Sequence, residues 1–432
     1  MSAADAQSYW VSAAIPDDQF LLYCFADPGV SLESAAEALR RRAARVPDLG
    51  LRVLEVPGSL DRPYWISATP DAERVVVHRE AGNTWQSTLD RLAELMDEQL
   101  DATRHAWRLH LFGPITDPPG DETAGIIVVL QICHALGDGR RTSDIARELF
   151  TGSASCDTSN HGADLLPLRV RSLGAAATGL TRISWQLAET VVRGVVAYRA
   201  VRDHTTASAR PGAPLTRLNR PPGPQRTLRA IIGPRAMLPP AHTVTVGAMT
   251  AISVALAQYL DEPVRAVELT VARLGEPQAR NHFRNVGIDM HPEIDDLAGR
   301  ACAIAAEVDQ ARRGADDPAR RAQQRAADAS PPVLTRWGIR QFDPHRVPAT
   351  VTGVTVVSSV YRGPADLMLG DGHVAATAGF PALSPAQGLT HGVHGIGGTV
   401  TISITTSPAI MPDVDRYAHL LRSAIDAVRE SM

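Results

Sequence analysis

In the first half of the chain, segments with the two-residue apolar period of strands alternate with segments with the 3.6-residue apolar period of helices. Residues 31–46 are an Ala/Arg-rich segment that Ser31 can cap and Pro47 ends, which predicts a helix. Residues 85–102 repeat leucine at helical spacing and predict an amphipathic helix. The predicted strands of this half are residues 50–56, 63–67, 73–79, 107–112 and 125–133, and further helices are predicted at about 140–150 and 171–203.

The second half repeats this mixed pattern after a Pro/Arg-rich stretch at residues 209–228, which is the best linker candidate in the chain. A loop rich in Ser, Gly, Asp and Asn is predicted at 151–165. Helices are predicted at about 245–260, 292–313 with a continuation to 328, and 412–430, and strands at 265–271, 350–360, 373–379 and 398–406. We therefore predict an α+β (mixed α/β) chain with an N-terminal subdomain at 1–208 and a C-terminal subdomain at 229–432.

Composition narrows the classes of function. The 432 residues carry a net charge of −4, which argues against nucleic acid as the main partner. All 43 basic residues are arginine, so no lysine is available to hold nucleotide phosphates or to form a Schiff base. P-loop nucleotide binding and pyridoxal-phosphate chemistry are therefore excluded.

The four cysteines are far apart in sequence, and no CxxC pair is present, which predicts a reduced, cytoplasmic setting. Residues 1–20 lack the apolar core of a signal peptide, and no stretch reaches the roughly 20 apolar residues of a membrane span. Residues 183–201 mix valines, Trp185 and Tyr198 with arginines. This segment is interpreted as a helix packed on the protein, with peripheral contact with a lipid surface as the alternative.

The strongest chemical signal lies at residues 125–139. Residues 126–133 are apolar except for Gln131, which predicts a strand buried on both faces. His134 follows this strand directly, and Asp138-Gly139 comes four residues later, where a helix pattern begins. An imidazole at the end of a buried strand, beside a carboxylate and a glycine turn, is the way a general base is presented to a cleft.

From the pattern alone, a structural role for His134, the usual role of an isolated histidine, is an equal alternative. The remaining interpretations are weaker. A Ser-His-Asp hydrolase would need a GxSxG elbow, which the sequence lacks. His134 with Asp138, or His391 with His394, would supply two metal ligands, and a third is not evident. Residues 391–398 are instead interpreted as a flexible, glycine-rich connection between strands. Their glycines do not form a dinucleotide-binding GxGxxG.

The HALGDG segment at 134–139 matches HxxxDG, the motif of CoA-dependent acyltransferases and condensation domains. The surrounding segments, in their order along the chain, resemble the bacterial wax ester synthase/diacylglycerol acyltransferase (WS/DGAT) family. They are RVP at 45–47, RPYW at 62–65, LD at 100–101, WRLHL at 107–111, RNHFRNVG at 280–287, SVYRGP at 359–364 and VDR at 414–416. The resemblance covers nearly the whole chain.

Three positions depart from the family pattern. Cys133 stands where the family has the first of two consecutive histidines, and VGAM at 246–249 replaces an Asn-Asp pair. SVYRGP at 359–364 is an altered and longer form of the Asn-Val-Pro-Gly-Pro turn. These departures leave the substrate open between storage-lipid synthesis and a specialised acyl transfer.

The resemblance implies two chloramphenicol-acetyltransferase-like subdomains arranged as a V, with His134 in a tunnel between them. It implies that His134 is the general base, that acyl-CoA is the donor co-substrate and that an alcohol is the acceptor, without a permanent cofactor or metal. It implies that Asp138 pairs with an arginine and that Gly139 allows a close turn, both structural roles.

Cys133 and Ser359 are predicted to line the substrate channel, and backbone amides near Gly139 or a hydroxyl near Ser359 to stabilise the oxyanion. We expect a monomer. The alternatives are an acyl-carrier-protein donor, or a degenerate homologue that only binds lipids.

Overall fold

The computed structural model describes residues 1–68, 72–79, 84–120, 124–152, 168–203, 212–273, 279–313, 318–341, 343 and 346–432. Most of the predicted loop at 151–165, including Cys156, and the first residues of the predicted linker lie outside these ranges. The α-helices are α1 (Ala3–Ser12), α2 (Leu32–Ala43), α3 (Trp85–Leu95), α4 (Gly139–Thr151), α5 (Leu168–Asp203), α6 (Val244–Leu260), α7 (Leu297–Arg313), α8 (Pro318–Ala329), α9 (Pro332–Arg340) and α10 (Val414–Glu430).

The strands divide between two larger sheets and one two-stranded ribbon. They are β1 (Gln19–Ala26), β2 (Leu51–Leu54), β3 (Tyr64–Ser67), β4 (Val75–His78), β5 (Trp107–Ile115), β6 (Gly125–Ile132), β7 (Thr227–Pro234), β8 (Ala266–Ala272), β9 (Phe283–Asp289), β10 (Val356–Tyr361), β11 (Met368–Leu369), β12 (Gly372–Gly379), β13 (Thr390–Ile396) and β14 (Thr399–Thr406). The mixed α+β class predicted from the sequence is confirmed.

The first sheet has the strand order β11-β12-β1-β6-β5-β4. Every residue of β6 is buried, as predicted, because both faces of this sheet are covered. Alternate residues of β1 and β6 pack on opposite sides: Tyr23 and Val128 lie in the core beneath α2 and α4, whereas Leu22 and Val129 contact the leucines of α3. The period of two places a complete hydrophobic core on each face.

The second sheet has the order β7-β14-β13-β10-β8-β9, and α6, α7 and α10 supply its core. Strand β13 corrects the prediction of a flexible connection at 391–398, since all of its residues are buried. His391 is accommodated there because its Nδ1 lies 3.0 Å from Thr355 Oγ1 and its Nε2 lies 2.8 Å from Tyr417 Oη. Burial lowers the pKa of His391 to about 3, so this histidine is a neutral part of the core.

Two strands from late in the chain belong to the first sheet. β12 pairs antiparallel with β1, with Leu22 opposite Ala378, and β11 continues the same edge. This connection ties the two halves together beside the start of β1. The division into subdomains at 209–228 stays a prediction. Two predicted helices have different bounds: 85–102 ends at Leu95, and 292–328 is two helices, α7 and α8.

Candidate active site

His134 lies immediately beyond β6, in a short 3-10 turn over His134–Leu136. The backbone closes this turn with hydrogen bonds from Leu136 N to Cys133 O and from Gly137 N to His134 O. α4 then begins at Gly139. The turn changes the chain direction so that Cys133 stays in the core, whereas the half-buried His134 reaches a cleft.

The orientation of His134 is set by Asn281, just before β9. His134 Nδ1 lies 3.0 Å from Asn281 Oδ1, and Asn281 Nδ2 donates to His134 O at 2.8 Å. Asn281 Nδ2 also donates to Asp5 Oδ1 at 3.3 Å, so the amide oxygen must face the ring. An amide oxygen only accepts, and the network therefore assigns the proton of the neutral imidazole to Nδ1. The lone pair is then on Nε2, which makes no hydrogen bond to a described residue.

Asp5 in α1 holds Asn281 in place. Its carboxylate is 3% exposed and accepts the backbone amides of Asn281 (2.9 Å) and Arg280 (3.1 Å). The Ser2 hydroxyl caps α1 by accepting a hydrogen bond from the backbone N–H of Asp5, and it donates its own hydrogen to the Asp5 carboxylate at 2.6 Å. The first helix, the turn after β6 and the approach to β9 are thus joined by one buried polar network. Such a network positions His134 through fully satisfied groups.

The cleft beside His134 has a volume of about 740 Å³ and is lined by both halves of the chain. One wall comes from the segment leading into β1 and from the start of α4. The other comes from β8, β9, β10 and residues 379–384. The ring of Phe283 lies 5.5 Å from the His134 ring, centroid to centroid. A cavity of this size is within the usual range for small-molecule sites.

Asp138 has a different environment from the predicted one. Its carboxylate caps α4 by accepting the amides of Arg140 and Arg141 at 3.2 and 3.0 Å, and it accepts the amide of His282 at 2.9 Å. These donors are backbone groups, and within the described ranges no arginine side chain forms an ion pair with Asp138. The aspartate joins α4 to the segment that carries Asn281, so its role here is structural through the backbone.

Gly139 allows the two halves to approach closely. A Cβ at this position would lie 3.0 Å from Cγ2 of Val360 in β10, which is tighter than ordinary packing. Its neighbour on that strand, Ser359, lines the cleft, and its Oγ lies 2.8 Å from Thr245 Oγ1. Gly139, Ser359 and His134 therefore meet around one cavity.

Cys133 does not line the cleft. Its side chain is 1% exposed and packs in the core of the first sheet, and burial raises the pKa of its thiol well above the usual range. Adjacent residues at the end of a strand point in opposite directions, so the exposure of His134 places Cys133 inside. The prediction that Cys133 contributes to the substrate channel was therefore wrong.

Three carboxyl groups in the cleft were not singled out from the sequence. Burial raises the pKa of Asp17 and Glu268, and it raises the pKa of Asp18 to about 7. Asp18 Oδ2 accepts Leu100 N and Gln131 Nε2, both at 2.8 Å, while Asp18 Oδ1 has no partner. Gln131, the one polar residue of the β6 pattern, is thus buried because it is hydrogen-bonded.

Sequence reasoning also missed Asp5 and the contact of Asn281 with His134. Asn281 lies in the RNHFRNVG segment that carried part of the resemblance, whereas Asp5 stands in α1 without a motif. Across the described ranges no group of three or more His, Cys, Asp or Glu residues has the arrangement of a metal site. Nor is any helix in those ranges long and apolar enough to cross a membrane.

Known proteins match part of this sequence and the fold of the whole chain. Residues 280–429, from Arg280 to the last helix, match the WS/DGAT C-terminal domain. A search of curated protein sequences gives no significant match.

Solved structures resemble the chain over almost its full length. The wax ester synthase/diacylglycerol acyltransferase from Marinobacter aquaeolei VT8 has a TM-score of 0.61 at 16% identity, covering 99% of this chain and 98% of that one. The starter condensation domain of rhizomide synthetase RzmA, a mutant in complex with C8-CoA and Leu-SNAC, has a TM-score of 0.59 at 16% identity, covering 100% and 93%. TRI3 trichothecene 15-O-acetyltransferase from Fusarium sporotrichioides has a TM-score of 0.58 at 12% identity, covering 99% and 95%.

At these identities the structural matches establish the fold alone, and the family match concerns residues 280–429. The resemblance seen in the sequence is confirmed: residues 280–429 match the WS/DGAT C-terminal domain, and the chain shares the fold of the Marinobacter wax ester synthase/diacylglycerol acyltransferase and of the RzmA condensation domain.

Proposed function

We propose that this chain transfers an acyl group from acyl-CoA to a hydroxyl acceptor, with His134 as the general base. The WS/DGAT C-terminal domain supports acyl-CoA-dependent acyl transfer. The observation that carries the proposal is the hydrogen bond between His134 Nδ1 and Asn281, which leaves a basic Nε2 beside a cleft of about 740 Å³. A base needs an accessible lone pair within reach of the proton that it removes.

In the proposed reaction, Nε2 of His134 removes the proton of the acceptor hydroxyl while the acceptor oxygen attacks the thioester carbonyl. The tetrahedral intermediate then breaks its C–S bond. The departing thiolate of coenzyme A takes the proton back from Nε2–H, so the imidazole ends as it began. Asn281 accepts from Nδ1–H throughout and stabilises the imidazolium.

The negative charge on the carbonyl oxygen requires a donor, and Ser359 is the candidate that the site supports. Ser359 lines the cleft on the opposite wall, and its oxygen can accept from the Thr245 hydroxyl at 2.8 Å. The Ser359 proton is then available to the oxyanion. Loss of one such donor typically costs about 10²–10³ in kcat.

The decisive experiment measures coenzyme A release by purified His134→Ala with octanoyl-CoA and a panel of alcohols. We expect a loss of at least about 100-fold in kcat, since general base catalysis typically contributes 10²–10⁴. Unfolding by urea should remain cooperative, with a loss of about 1–3 kcal/mol, because Asn281 Oδ1 loses its hydrogen-bond partner. Full activity in a folded variant would refute the assignment.

The donor has a second candidate, an acyl-carrier-protein thioester. This alternative comes from the fold shared with a starter condensation domain at a TM-score of 0.59, although that domain was solved with C8-CoA and Leu-SNAC. Comparing octanoyl-CoA with octanoyl-carrier protein at equal concentration separates the two donors. Absence of thiol release from both would instead favour a lipid-binding protein without catalysis.

We further propose that α5 makes peripheral contact with a lipid surface. This helix packs on α8 through bonds such as Thr190 Oγ1 to Ala329 O at 3.0 Å, yet it exposes Trp185 (72%) and Tyr198 (67%). Aromatic and valine side chains interleaved with arginines suit the interface of an anionic bilayer. Co-sedimentation with phosphatidylglycerol vesicles should decrease in Trp185→Ala, and equal recovery of both proteins would contradict this contact.

A further inference from the structure

Arg362 is a buried cation in the cleft that has no anionic partner. Its side chain is 3% exposed, although it follows β10 in the SVYRGP segment, where the sequence departs from the family turn. Its Nη1 donates to Leu22 O, Thr377 Oγ1 and Ala378 O at 3.4, 2.6 and 3.0 Å. All three acceptors are neutral, and within the described ranges no carboxylate forms an ion pair with this guanidinium.

The unused part of Arg362 is the edge that binds carboxylates. A guanidinium has five N–H donors. The two hydrogens of Nη1 are used by the three oxygen acceptors on β1 and β12. Nε has no hydrogen-bond partner, and the phenol of Tyr23, which interacts with the guanidinium, brings no negative charge because burial raises its pKa. Nε–H and Nη2–H point in parallel and form the fork that takes the two oxygens of a carboxylate.

His394 on β13 stands beside this free edge. It is 5% exposed, it lines the same cleft, and its Nδ1 has no partner. A Cβ on Gly379 would lie 2.7 Å from Arg362 Nη2 and 2.9 Å from His394 Nε2, so the two nitrogens converge on one place that only a glycine leaves open. Burial and the charge of Arg362 lower the pKa of His394, and the neutral ring still has one N–H to donate.

A purely structural role explains the hydrogen bonds of Arg362 but not its buried charge. The three bonds of Nη1 and the Tyr23 ring, 5.2 Å from the guanidinium carbon, do fasten β10 to the first sheet. A neutral donor would make the same bonds without placing a charge in the interior. An unpaired buried charge is strongly unfavourable unless a counter-charge arrives. The carboxyl groups of Asp17, Asp18 and Glu268 share the cleft, but burial raises the pKa of each and so weakens them as counter-charges.

We propose that Arg362 and His394 bind a carboxylate carried by one of the two substrates, and that the cleft therefore selects a carboxylate-bearing acyl group or a carboxylate-bearing acceptor. This inference rests on the proposed acyl transfer and adds the chemical class of the substrate. The phosphates of coenzyme A do not suit the site, because a guanidinium with 3% exposure lies too deep for a solvated headgroup.

The test uses two matched substrate pairs with the full-length protein. The first arm compares succinyl-CoA with butyryl-CoA as donors to 1-hexanol. The second arm compares 6-hydroxyhexanoate with 1-hexanol as acceptors from octanoyl-CoA. In one arm the carboxylate member should have a kcat/KM about 10–100-fold above its neutral partner, the range that charge-assisted hydrogen bonds provide. The arm that shows the preference identifies the substrate that carries the carboxylate.

Arg362→Gln should abolish this preference by raising the KM of the carboxylate substrate toward that of its neutral partner. Arg147→Gln is the matched control, because Arg147 donates to Arg362 O and Pro364 O and supports the same turn from outside the cleft. If Arg362→Gln does not fold, His394→Gln replaces it and should lower the preference at least about threefold. If Arg362 served only to fasten β10 to the first sheet, His394→Gln would not change the preference, since this variant leaves the hydrogen bonds of Arg362 Nη1 intact.

Equal kcat/KM for both members of both pairs in the wild-type protein would overturn the carboxylate site while acyl transfer stands. No turnover of any pair would instead overturn the proposed function. In that case, calorimetric titration of 6-hydroxyhexanoate and succinyl-CoA into wild type and Arg362→Gln tests the site alone. Indistinguishable binding by the two proteins would reject it.

Discussion

Replacing Asn281 by alanine removes the group that decides which nitrogen of His134 is the base. The variant loses the side-chain acceptor 3.0 Å from His134 Nδ1 and the side-chain donor 2.8 Å from His134 O. The backbone N–H of residue 281 can still donate to Asp5. The Nδ1–H is then buried without a partner, or the proton moves to Nε2, where the ring can no longer act as base. Either outcome raises the barrier of the first step.

The size of the effect follows from the cost of that unpaired group. A buried polar group left without its hydrogen bond costs about 1–3 kcal/mol, and each 1.36 kcal/mol is tenfold in rate. We therefore expect kcat to fall about 5–150-fold. KM should hardly change, because Asn281 does not line the cleft and acts only by positioning His134.

The assay is coenzyme A release at saturating acyl-CoA, together with long-range ¹H–¹⁵N spectra of the His134 ring. The spectra should show Nε2 unprotonated in the wild type and mixed tautomers in the variant. Asn219→Ala is the matched control: Asn219 is 1% exposed and donates to Val354 O and Ala386 O, but it makes no bond to His134. Both variants lose stability, and only Asn281→Ala should lose kcat.

The reasoning fails if kcat of Asn281→Ala stays within twofold of the wild type, or if the two asparagine variants lose kcat equally. The double variant His134→Ala/Asn281→Ala supplies a further check. If Asn281 acts through His134, the double variant should be no slower than His134→Ala alone. An additional loss would mean that Asn281 contributes by another route.

Three further predictions concern stability and the cleft. Asp138→Ala should lower the free energy of unfolding in urea by about 2–3 kcal/mol, since it removes the cap of α4 and the bond to His282 N, and a smaller loss would contradict that role. The folded state keeps a proton on Asp18 up to about pH 7, whereas an unfolded aspartate releases it near pH 4, so Asp18 contributes stability that is lost as pH rises through this window. Asp18→Asn has no such proton to lose, so its free energy of unfolding relative to the wild type should rise by up to about 4 kcal/mol between pH 4 and pH 8 in chemical denaturation. A difference that does not change with pH would refute the raised pKa of Asp18. Cys133→Ala should lower stability by about 1 kcal/mol without changing KM for acyl-CoA or alcohol, and a change in KM would return Cys133 to the channel.

Local patterns predicted most elements because the forces behind them act over a few residues. Ser31 caps α2 as expected, with its hydroxyl accepting the amide of Ser34. The apolar run before His134 is a strand with every residue buried. The helix predicted at 292–328 was less accurate, since its continuous Ala/Arg composition does not mark the boundary between α7 and α8.

Residues 391–398 show where local patterns fail. Glycine and histidine at alternate positions suggest a flexible link, yet β13 is buried within its sheet. The polar ring of His391 is tolerated in this strand because Thr355 and Tyr417, which are distant in sequence, complete its hydrogen bonds. A sequence pattern records the cost of burying a histidine but not the partners that offset it.

The sequence by itself determined that a histidine follows a buried strand, that an aspartate and a glycine follow at the right distance, and that lysine chemistry is absent. Only the tertiary structure decided what that histidine can do. Asp5, Asn281 and His134 are separated by more than a hundred residues at each step, and their contact selects the tautomer. The pairing of β12 with β1 likewise brings Arg362 and Gly379 to the cleft. Hydrogen-bond partners depend on distance in space, and the chain reaches those distances only when both sheets have formed.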